Sequence, residues 1–157
     1  MKYEFTGKTK TVSGVNLRQI RSLVTIVGVV SAGDVGGWIE SEKNLSQVSG
    51  NAWVSGNAWV FGNAQVSGDA QVSGDGLIFW ASKVGNENGT ITVYNSKDNS
   101  LLVTRGCFIG TTEQFLTASK KKHDARTQHE YGLLIEVATS RIEAARAITA
   151  QEEEVCE

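Results

Sequence analysis

The sequence predicts a mainly β protein with an α-helical appendage at its C-terminal end. Three observations predict this class: a six-residue repeat, a preceding segment rich in β-branched residues, and a following hairpin pattern succeeded by two helical patterns. A chain of 157 residues fits one domain with an appendage. We therefore divide it into an N-terminal β cap and lead-in (1–46), the repeat (47–82), and a β-hairpin and two-helix C-terminal appendage (83–157).

The repeat is strict in its spacing. One phase of the six-residue period is occupied by Val48, Val54, Val60, Val66, Val72 and Ile78. Alanine occupies another phase at Ala52, Ala58, Ala64 and Ala70, and glycine followed by Asn or Asp a third at Gly50, Gly56, Gly62, Gly68 and Gly74. A period of six suits a short strand and a corner, because glycine takes positive φ without steric cost and Asn and Asp tolerate it. The pattern predicts that valine and alanine point inward and that each glycine turns a corner.

This pattern resembles the hexapeptide repeat of left-handed parallel β-helices, in which three hexapeptides form one triangular coil of roughly eighteen residues. The match covers about 47–82 and implies a short left-handed parallel β-helix of about two coils. Because Trp80 occupies the glycine phase, we expect the repeat to end near 78–80.

A longer stretch carries a second resemblance. The segment "AGDVGGWIESEKNLSQVSGNAWVSGNA", residues 32–58, resembles the opening of hexapeptide-repeat proteins of bacteriophages, prophages and enteric bacteria. This resemblance implies that Trp38, Ile39 and Leu45 plug the open end of the coil.

Stacking of residues eighteen apart predicts which side chains face outward. Trp59 should stack on Leu77 and Phe61 on Phe79 along one apolar face, Trp53 on Gln71 along a second, and Gln47 on Gln65 along a third. The predicted partner or oligomer surface is Trp53, Trp59, Phe61, Leu77 and Phe79. A patch of this size needs covering. The chain's own C-terminal segment, self-association into a dimer or trimer, and a foreign partner all remain open as the cover.

The two ends of the chain carry local signals. The stretch "VNLRQIRSLVTIVGVV" predicts strands of the cap. Residues 89–108 predict a β-hairpin that turns near "NSKDNS", and Thr111 with Gln114 predicts a capping box that opens a helix over 112–122. A second helix is expected from near Asp124 to about Ala150, followed by a frayed tail. Hairpin and helices together look similar to an appendage of some phage hexapeptide proteins.

Residues with reactive or charged side chains lie outside the repeat. The candidate anion contact is a basic run whose alternative is a solvated helix end: Lys120, Lys121, Lys122 and Arg126. His123 and His129, six helical residues apart, do not share a face, and no metal, cofactor or catalytic residue is predicted. Cys107 is expected as a buried strand thiol, or as a nucleophile if a histidine meets it in space, and Cys156 as a second free thiol.

Charge and hydropathy exclude some partners. The net charge of −2 gives no general attraction to nucleic acid or anionic membranes, so nucleic acid or nucleotide remains a weak expectation and no membrane partner is expected. The N-terminus has no signal-peptide pattern, and the longest apolar run, residues 23–30, is far shorter than a bilayer span. We expect a protein of the host bacterial cytoplasm.

Two functions follow as the main hypotheses. The first is a non-catalytic binding protein that engages a host protein or protein complex; given the resemblance to phage proteins, an anti-defence inhibitor such as an anti-CRISPR is the example. The alternative is an oligomer that sequesters a signalling nucleotide in a subunit cleft, with residues 120–122 and Arg126 supplying charge and Trp53 or Trp59 stacking. An acyltransferase-like enzyme and a virion structural protein are the remaining hypotheses; the repeat lacks the histidine that the resemblance implies for acyl transfer.

Overall fold

A computed structural model describes residues 1–48 and 50–155, except for the side chains of Glu153 and Val155. The strands are β1 (Tyr3–Val12), β2 (Val15–Ser22), β3 (Val35–Ile39), β4 (Trp53–Val54), β5 (Trp59–Val60), β6 (Gln71–Val72), β7 (Ile78–Val84), β8 (Gly89–Asn95), β9 (Leu101–Arg105) and β10 (Phe108–Thr111). The helices are α1 (Thr112–Lys122) and α2 (Ala125–Val155), and short 3-10 turns span Glu42–Asn44 and Asp75–Leu77. The described strands form sheets ordered β1-β2-β3-β5, β10-β9-β8-β7 and β4-β6, and none of these closes into a barrel. The predicted combination of β structure with a helical appendage is confirmed.

Within the repeat, short strands pair in parallel at the predicted spacing. Trp53 pairs with Gln71 and Val54 with Val72, each eighteen residues apart. The inward-phase residues are buried: Val54, Val60, Val66, Val72, Ala52, Ala58, Ala64 and Ala70. The six-residue phase therefore predicted the core of this region.

The lead-in stacks on the repeat with a different spacing. Ile39 pairs with Val60 and Leu45 with Val66, each twenty-one residues apart in parallel, and both Ile39 and Leu45 are fully buried. They cover the end of the repeat core, as expected for these two residues, whereas Trp38, the third residue expected there, is only partly buried and is not in the core. The prediction that Val48 points inward is wrong, since its side chain is 94 % exposed. Leu45 already occupies the inward position beside Val66, and three extra residues separate it from the regular phase.

Glycine corners are confirmed at four of the five predicted positions. The φ angles of Gly50, Gly56, Gly62 and Gly68 lie between +60° and +67°. Gly74 is instead extended, with φ −157°, because the chain leaves the repeat there for the turn Asp75–Leu77. From Ile78 the pairing becomes antiparallel, so the predicted end of the repeat is confirmed. β7 continues across 82/83, the boundary that we placed from sequence.

The N-terminal strand is fastened to the lead-in by side-chain hydrogen bonds. The Gln47 amide accepts from the backbone N–H groups of Lys2 and Tyr3 and donates to the Tyr3 carbonyl, and the Tyr3 hydroxyl donates to the Leu45 carbonyl at 2.8 Å. Lys2 is buried, and its Nζ donates to the Ala52 carbonyl at 2.8 Å. Burial lowers the pKa of Lys2 to about 8. Gln47 thus holds β1 rather than stacking on Gln65.

The predicted N-terminal strands are only half right. β1, β2 and β3 form an antiparallel sheet, and β2 covers the first half of the predicted segment. Residues 23–30 are turns with one isolated bridge, between Ile26 and Val30. The side chains of Leu23, Val24 and Val27 are exposed there while Ile26 is buried, so burial does not alternate as it does in a half-buried strand.

The C-terminal part follows its local signals closely. β7 to β10 form an antiparallel sheet, with the predicted hairpin between β8 and β9. Hydrogen bonds from Ser100 and Ser96 lower the pKa of Asp98 in its turn to about 2. α1 has the predicted bounds and the predicted capping box of Thr111 and Gln114. Ahead of α2, hydrogen bonds from the Thr127 hydroxyl and from the Thr127 backbone N–H, the latter at 2.9 Å, lower the pKa of Asp124.

Helix α2 is longer than predicted and fastens the appendage to the repeat. It reaches Val155, so the frayed tail is wrong for residues 151–155, while Cys156 lies outside the described residues. Its inward side buries Tyr131, Ile135, Ala138 and Ile142. α2 packs on the turn Asp75–Leu77, and Arg146 donates to the Asn95 side chain and the Ser100 carbonyl.

Candidate functional site: an aromatic stripe and a C-terminal pocket

Two of the five predicted surface residues are buried. Trp53 is 3 % exposed and Leu77 is 5 % exposed, so their prediction as outward-facing contacts is wrong. The Trp53 ring packs on the backbone of β3, where a Cβ at Gly36 would lie 2.7 Å from it. Leu77 lies in the turn against which α2 packs, so the chain's own C-terminal segment covers this part of the predicted face.

The remaining aromatic residues form a half-buried surface of different composition. Trp59 pairs with Trp38 across β3 and β5 rather than stacking on Leu77. The Phe61 ring lies 5.7 Å from Trp59 and 4.8 Å from Trp80, centroid to centroid, while Phe79 is half-buried on β7. We call Trp38, Trp59, Phe61 and Trp80 the aromatic stripe. Lys10 extends it, with Nζ 4.4 Å from the centre of the Trp38 ring.

A separate cavity of about 510 Å³ lies in the C-terminal part of the molecule. Four segments line it: the turn after β7, the β9–β10 turn, the inner side of α1 with the residue after it, and the first turns of α2. Its side chains of functional interest are Glu87, Arg105, Cys107, Phe108, Phe115, Ser119, Lys122, His123 and Tyr131. We call this cavity the C-terminal pocket.

One side of the C-terminal pocket is cationic. The Arg105 side chain is 15 % exposed, and its Nε donates to the hydroxyl of buried Tyr131 at 3.0 Å. The guanidinium lies over β8, where a Cβ at Gly89 would come within 2.5 Å of it, so glycine makes room for the charge. Glu87 lies 3.7 Å away but is 78 % exposed, and such a solvated pair compensates little of the guanidinium charge. Lys122 adds a second cation to the lining.

The other side is a continuous set of rings. Phe108 meets Phe115 at 5.4 Å and Phe115 meets Tyr131 at 5.0 Å, both edge to face, and the His123 ring lies 5.4 Å from Tyr131. Edge-to-face pairs of this kind fix ring positions as well as bury area. Phe108 is the least buried of the three benzene rings and so offers an apolar surface to the cavity.

His123 and Cys107 line the same cavity. The Ser119 hydroxyl and His123 Nδ1 are joined by a hydrogen bond of 2.8 Å, which holds the imidazole against α1. Cys107 is exposed in the β9–β10 turn after Gly106, whose φ is +58°, so its prediction as a buried strand thiol is wrong. Among the described residues, no hydrogen bond joins the Cys107 thiol to the His123 ring.

The basic run predicted as an anion contact is divided among several surfaces. Lys122 lines the C-terminal pocket, Lys121 lies on the outer side of α1, and Lys120 lies in the groove between α1 and α2. Arg126 is exposed on α2 and is not part of the pocket lining. Neither Trp53 nor Trp59 lines the pocket, so this pocket of the single chain does not combine the lysines with the tryptophans of the nucleotide hypothesis; their meeting across a subunit cleft stays a prediction. Arg105 and Tyr131 were missed because no spacing pattern joins their segments.

Other site types have no support in the described parts of the chain. Residues 1–48 and 50–155 contain no group of three or more His, Cys, Asp or Glu side chains placed to hold a metal ion. Within the same residues, no helix is both long and apolar enough to cross a bilayer. Comparison of the chain with known protein families, curated proteins and solved structures finds no match.

Proposed function

We propose that this chain is a non-catalytic binding protein whose C-terminal pocket takes a small anionic molecule with a planar ring, the chemical class to which nucleotides belong. The observation that carries this proposal is the juxtaposition of Arg105 and Lys122 with the rings of Phe108 and Phe115 in one cavity. The proposal keeps the nucleotide-binding hypothesis but moves the site away from the tryptophans of the repeat.

The charge of the cavity supports an anion. The whole chain carries a net charge of −2, so anion binding needs a local concentration of cations. Arg105 is mostly buried and its geometry is fixed by the Tyr131 hydroxyl, which lowers the entropy lost when its remaining N–H groups bind a ligand. A guanidinium suits phosphate or carboxylate oxygens because it presents two parallel donors.

The rings and the size support a planar partner group. A cavity of about 510 Å³ lies within the usual range for small-molecule sites. Stacking of a base on an aromatic ring contributes on the order of 1–3 kcal/mol. A molecule that places its anionic group at Arg105 and its ring at Phe108 would use both sides of the cavity.

Binding fits the pocket better than nucleophilic catalysis does. A cysteine nucleophile needs a base within hydrogen-bond reach, and a third group to orient that base. In the described residues, no hydrogen bond joins the His123 ring to the Cys107 thiol, and Cys107 lies in an exposed turn. Within the described part of the chain, the Cys107 thiol therefore lacks the partner that a cysteine nucleophile requires.

The experiment is a calorimetric titration with 5′-AMP, adenosine and inorganic phosphate. We expect AMP to bind at least about 10-fold more tightly than either of the others, since only AMP engages both sides of the cavity. Lys122→Ala should weaken AMP binding by about 10-fold, and Lys121→Ala, its matched neighbour outside the pocket, should leave it unchanged. Equal effects of the two substitutions, or no heat of AMP binding, would overturn the proposal.

The aromatic stripe favours a second function, binding to a macromolecule. All four of its residues lie within residues 1–82, the lead-in and repeat as bounded from sequence, and Trp59, Phe61 and Trp80 form contiguous half-exposed rings. Tryptophan and phenylalanine are enriched in the centres of protein interfaces. The resemblance to phage and prophage proteins supports a host protein as the partner, and inhibition of a defence complex as the effect.

The same resemblance supports a finer description of the scaffold. We propose that residues 50–72 wind as a left-handed parallel β-helix, since their eighteen-residue pairing and repeated glycine corners suit such a coil. Affinity purification of the chain from host lysate tests the macromolecular function. We expect Trp59→Ala to lose one specific host partner that Leu133→Ala retains. Retention of that partner by both variants would exclude the stripe as its contact.

A further inference from the structure

The outer side of α2 carries an apolar row that no described part of the chain covers. Leu133, Val137 and Ile148 are each about half exposed, although they belong to a well-formed helix. Together with Ala144 they recur at steps of four, seven and four residues, which places them on one face. That face is opposite the buried Tyr131, Ile135, Ala138 and Ile142, so the fold itself does not use it.

The row is complementary to itself when the helix direction is reversed. Two copies of α2 can pack antiparallel about a two-fold axis that passes between Ser140 and Arg141. Each residue then faces the residue of the second copy whose number is 281 minus its own. Leu133 then faces Ile148 of the second copy, and Val137 faces Ala144. Every exposed member of the row therefore has an apolar partner in the second copy, as the core positions of antiparallel coiled coils do.

The charges at the two ends of α2 are complementary in the same arrangement. Near the start of the helix, Lys120 lies in the groove between α1 and α2, and Arg126 is exposed on α2. The other end carries glutamates at 152–154. Antiparallel packing brings the basic end of one copy beside the acidic end of the other, whereas parallel packing would bring like charges together. The antiparallel arrangement also opposes the two helix dipoles.

We infer that the outer face of α2 is the interface of an antiparallel homodimer, with a second copy of this chain as its occupant. A groove of about 370 Å³ between α1 and α2 is lined by Leu116 and Leu133, which offer apolar contacts to Ile148 of the second copy, and otherwise mainly by polar side chains such as Lys120 and Glu136. The inference gives the expected self-association a place on α2, away from the face of the repeat. It does not depend on ligand binding, because the C-terminal pocket lies on the inner side of α2.

Cysteine cross-linking tests the direction of the helices. In a Cys107→Ser, Cys156→Ser background, the double variant Val137→Cys, Ala144→Cys should form a disulfide-linked dimer on oxidation with diamide. Val137→Cys alone should not, because the antiparallel register separates its two copies by seven residues, about 10 Å along the helix, beyond disulfide reach. Efficient linking through Val137→Cys alone, or no linking of the double variant, would overturn the inference.

Sedimentation equilibrium tests the strength of the interface. Leu133→Asp should raise the dimer dissociation constant by at least about 10-fold, because it places a carboxylate opposite Ile148. Leu23→Asp is the matched control, since Leu23 is 43 % exposed in an N-terminal turn. Leu133→Asp should retain AMP binding, which separates failure of the dimer from failure of the pocket. A wild-type chain that stays monomeric at roughly 100 μM, or equal effects of both substitutions, would contradict the interface.

Discussion

The repeat and the C-terminal part of this molecule encode their structures in different ways. In the repeat, residues six apart perform the same task, and residues eighteen apart pair, so one short pattern specifies strands, corners and core. In the C-terminal part, the pocket is assembled from four segments that share no pattern. In this chain the period therefore specifies a scaffold, whereas the residues that line the C-terminal pocket lie in the aperiodic part.

The largest destabilisation of the repeat is expected from substituting a glycine corner at which the neighbouring backbone leaves no space for a side chain. A Cβ at Gly50 would lie 2.2 Å from the carbonyl oxygen of Gly68, whereas a Cβ at Gly62 would meet nothing within 4 Å. Both glycines have positive φ, near +60°. We expect Gly62→Ala to lower the free energy of unfolding by about 1–2 kcal/mol through backbone strain alone, and Gly50→Ala by at least about 4 kcal/mol.

Urea denaturation of both glycine variants checks this prediction. A similar loss in the two would mean that the close backbone approach at Gly50 does not exist in solution. A large loss of stability for Gly62→Ala, with little loss for Gly50→Ala, would mean that the close backbone approach lies at Gly62 rather than at Gly50.

The lead-in can be tested by truncating, in separate variants, Leu45, which the fold buries, and Val48, which the six-residue period predicts to be buried. We expect Leu45→Ala to lower the free energy of unfolding by about 2–5 kcal/mol, because it empties a fully buried position beside Val66. Val48→Ala, at the exposed position that keeps the six-residue phase, should change it by less than about 0.5 kcal/mol. A larger loss for Val48→Ala than for Leu45→Ala, measured by thermal unfolding, would restore the uninterrupted phase and contradict the twenty-one-residue lead-in.

The smallest expected effect is a pH dependence at the N-terminal strand. The pKa of Lys2 is lowered from 10.5 to about 8 by burial, so between these pH values the unfolded chain binds more protons than the folded one. Stability should therefore rise with pH above about 8, with a slope of at most about 1.4 kcal/mol per pH unit. The rise should end near pH 10, because burial and Glu42 raise the pKa of Tyr3, and ionisation of that tyrosine then favours the unfolded chain.

Lys2→Met is the control for this titration. Urea denaturation at intervals from pH 7 to pH 10 should give a flat profile for the variant over the range in which the wild-type profile rises. An equal rise in both proteins would assign the effect to another group.

Local signals predicted much of the fold. Four of the five glycine corners, the hairpin between β8 and β9, and the capping box of α1 were found where expected, and each depends on residues close together in sequence. Trp53 and Leu77 were placed wrongly because their burial depends on β3 and on α2, which are distant in the chain. Cys107 was misplaced because Gly106 ends β9 one residue before it.

The candidate site was less predictable than the fold for the same physical reason. Lys122 and His123 were noted from sequence as part of a basic run, but nothing in that run indicates which lysine faces a cavity. The turn that ends α1 at His123 and the hydrogen bond from Ser119 decide the orientation of this end of the helix. Arg105 has its role only through Gly89 and Tyr131, which belong to two other elements.

A two-dimensional ¹H–¹⁵N NMR titration with 5′-AMP distinguishes an anionic ligand bound by the aperiodic part from one bound by the repeat. The four tryptophan indole N–H signals report on the repeat, its lead-in and β7, and none of these residues lines the C-terminal pocket. We predict shifts of the backbone signals of Cys107, Lys122 and His123 with the indole signals unchanged. Shifts of the Trp59 and Trp80 indole signals, with those three backbone signals unmoved, would contradict this account and assign binding to the aromatic stripe.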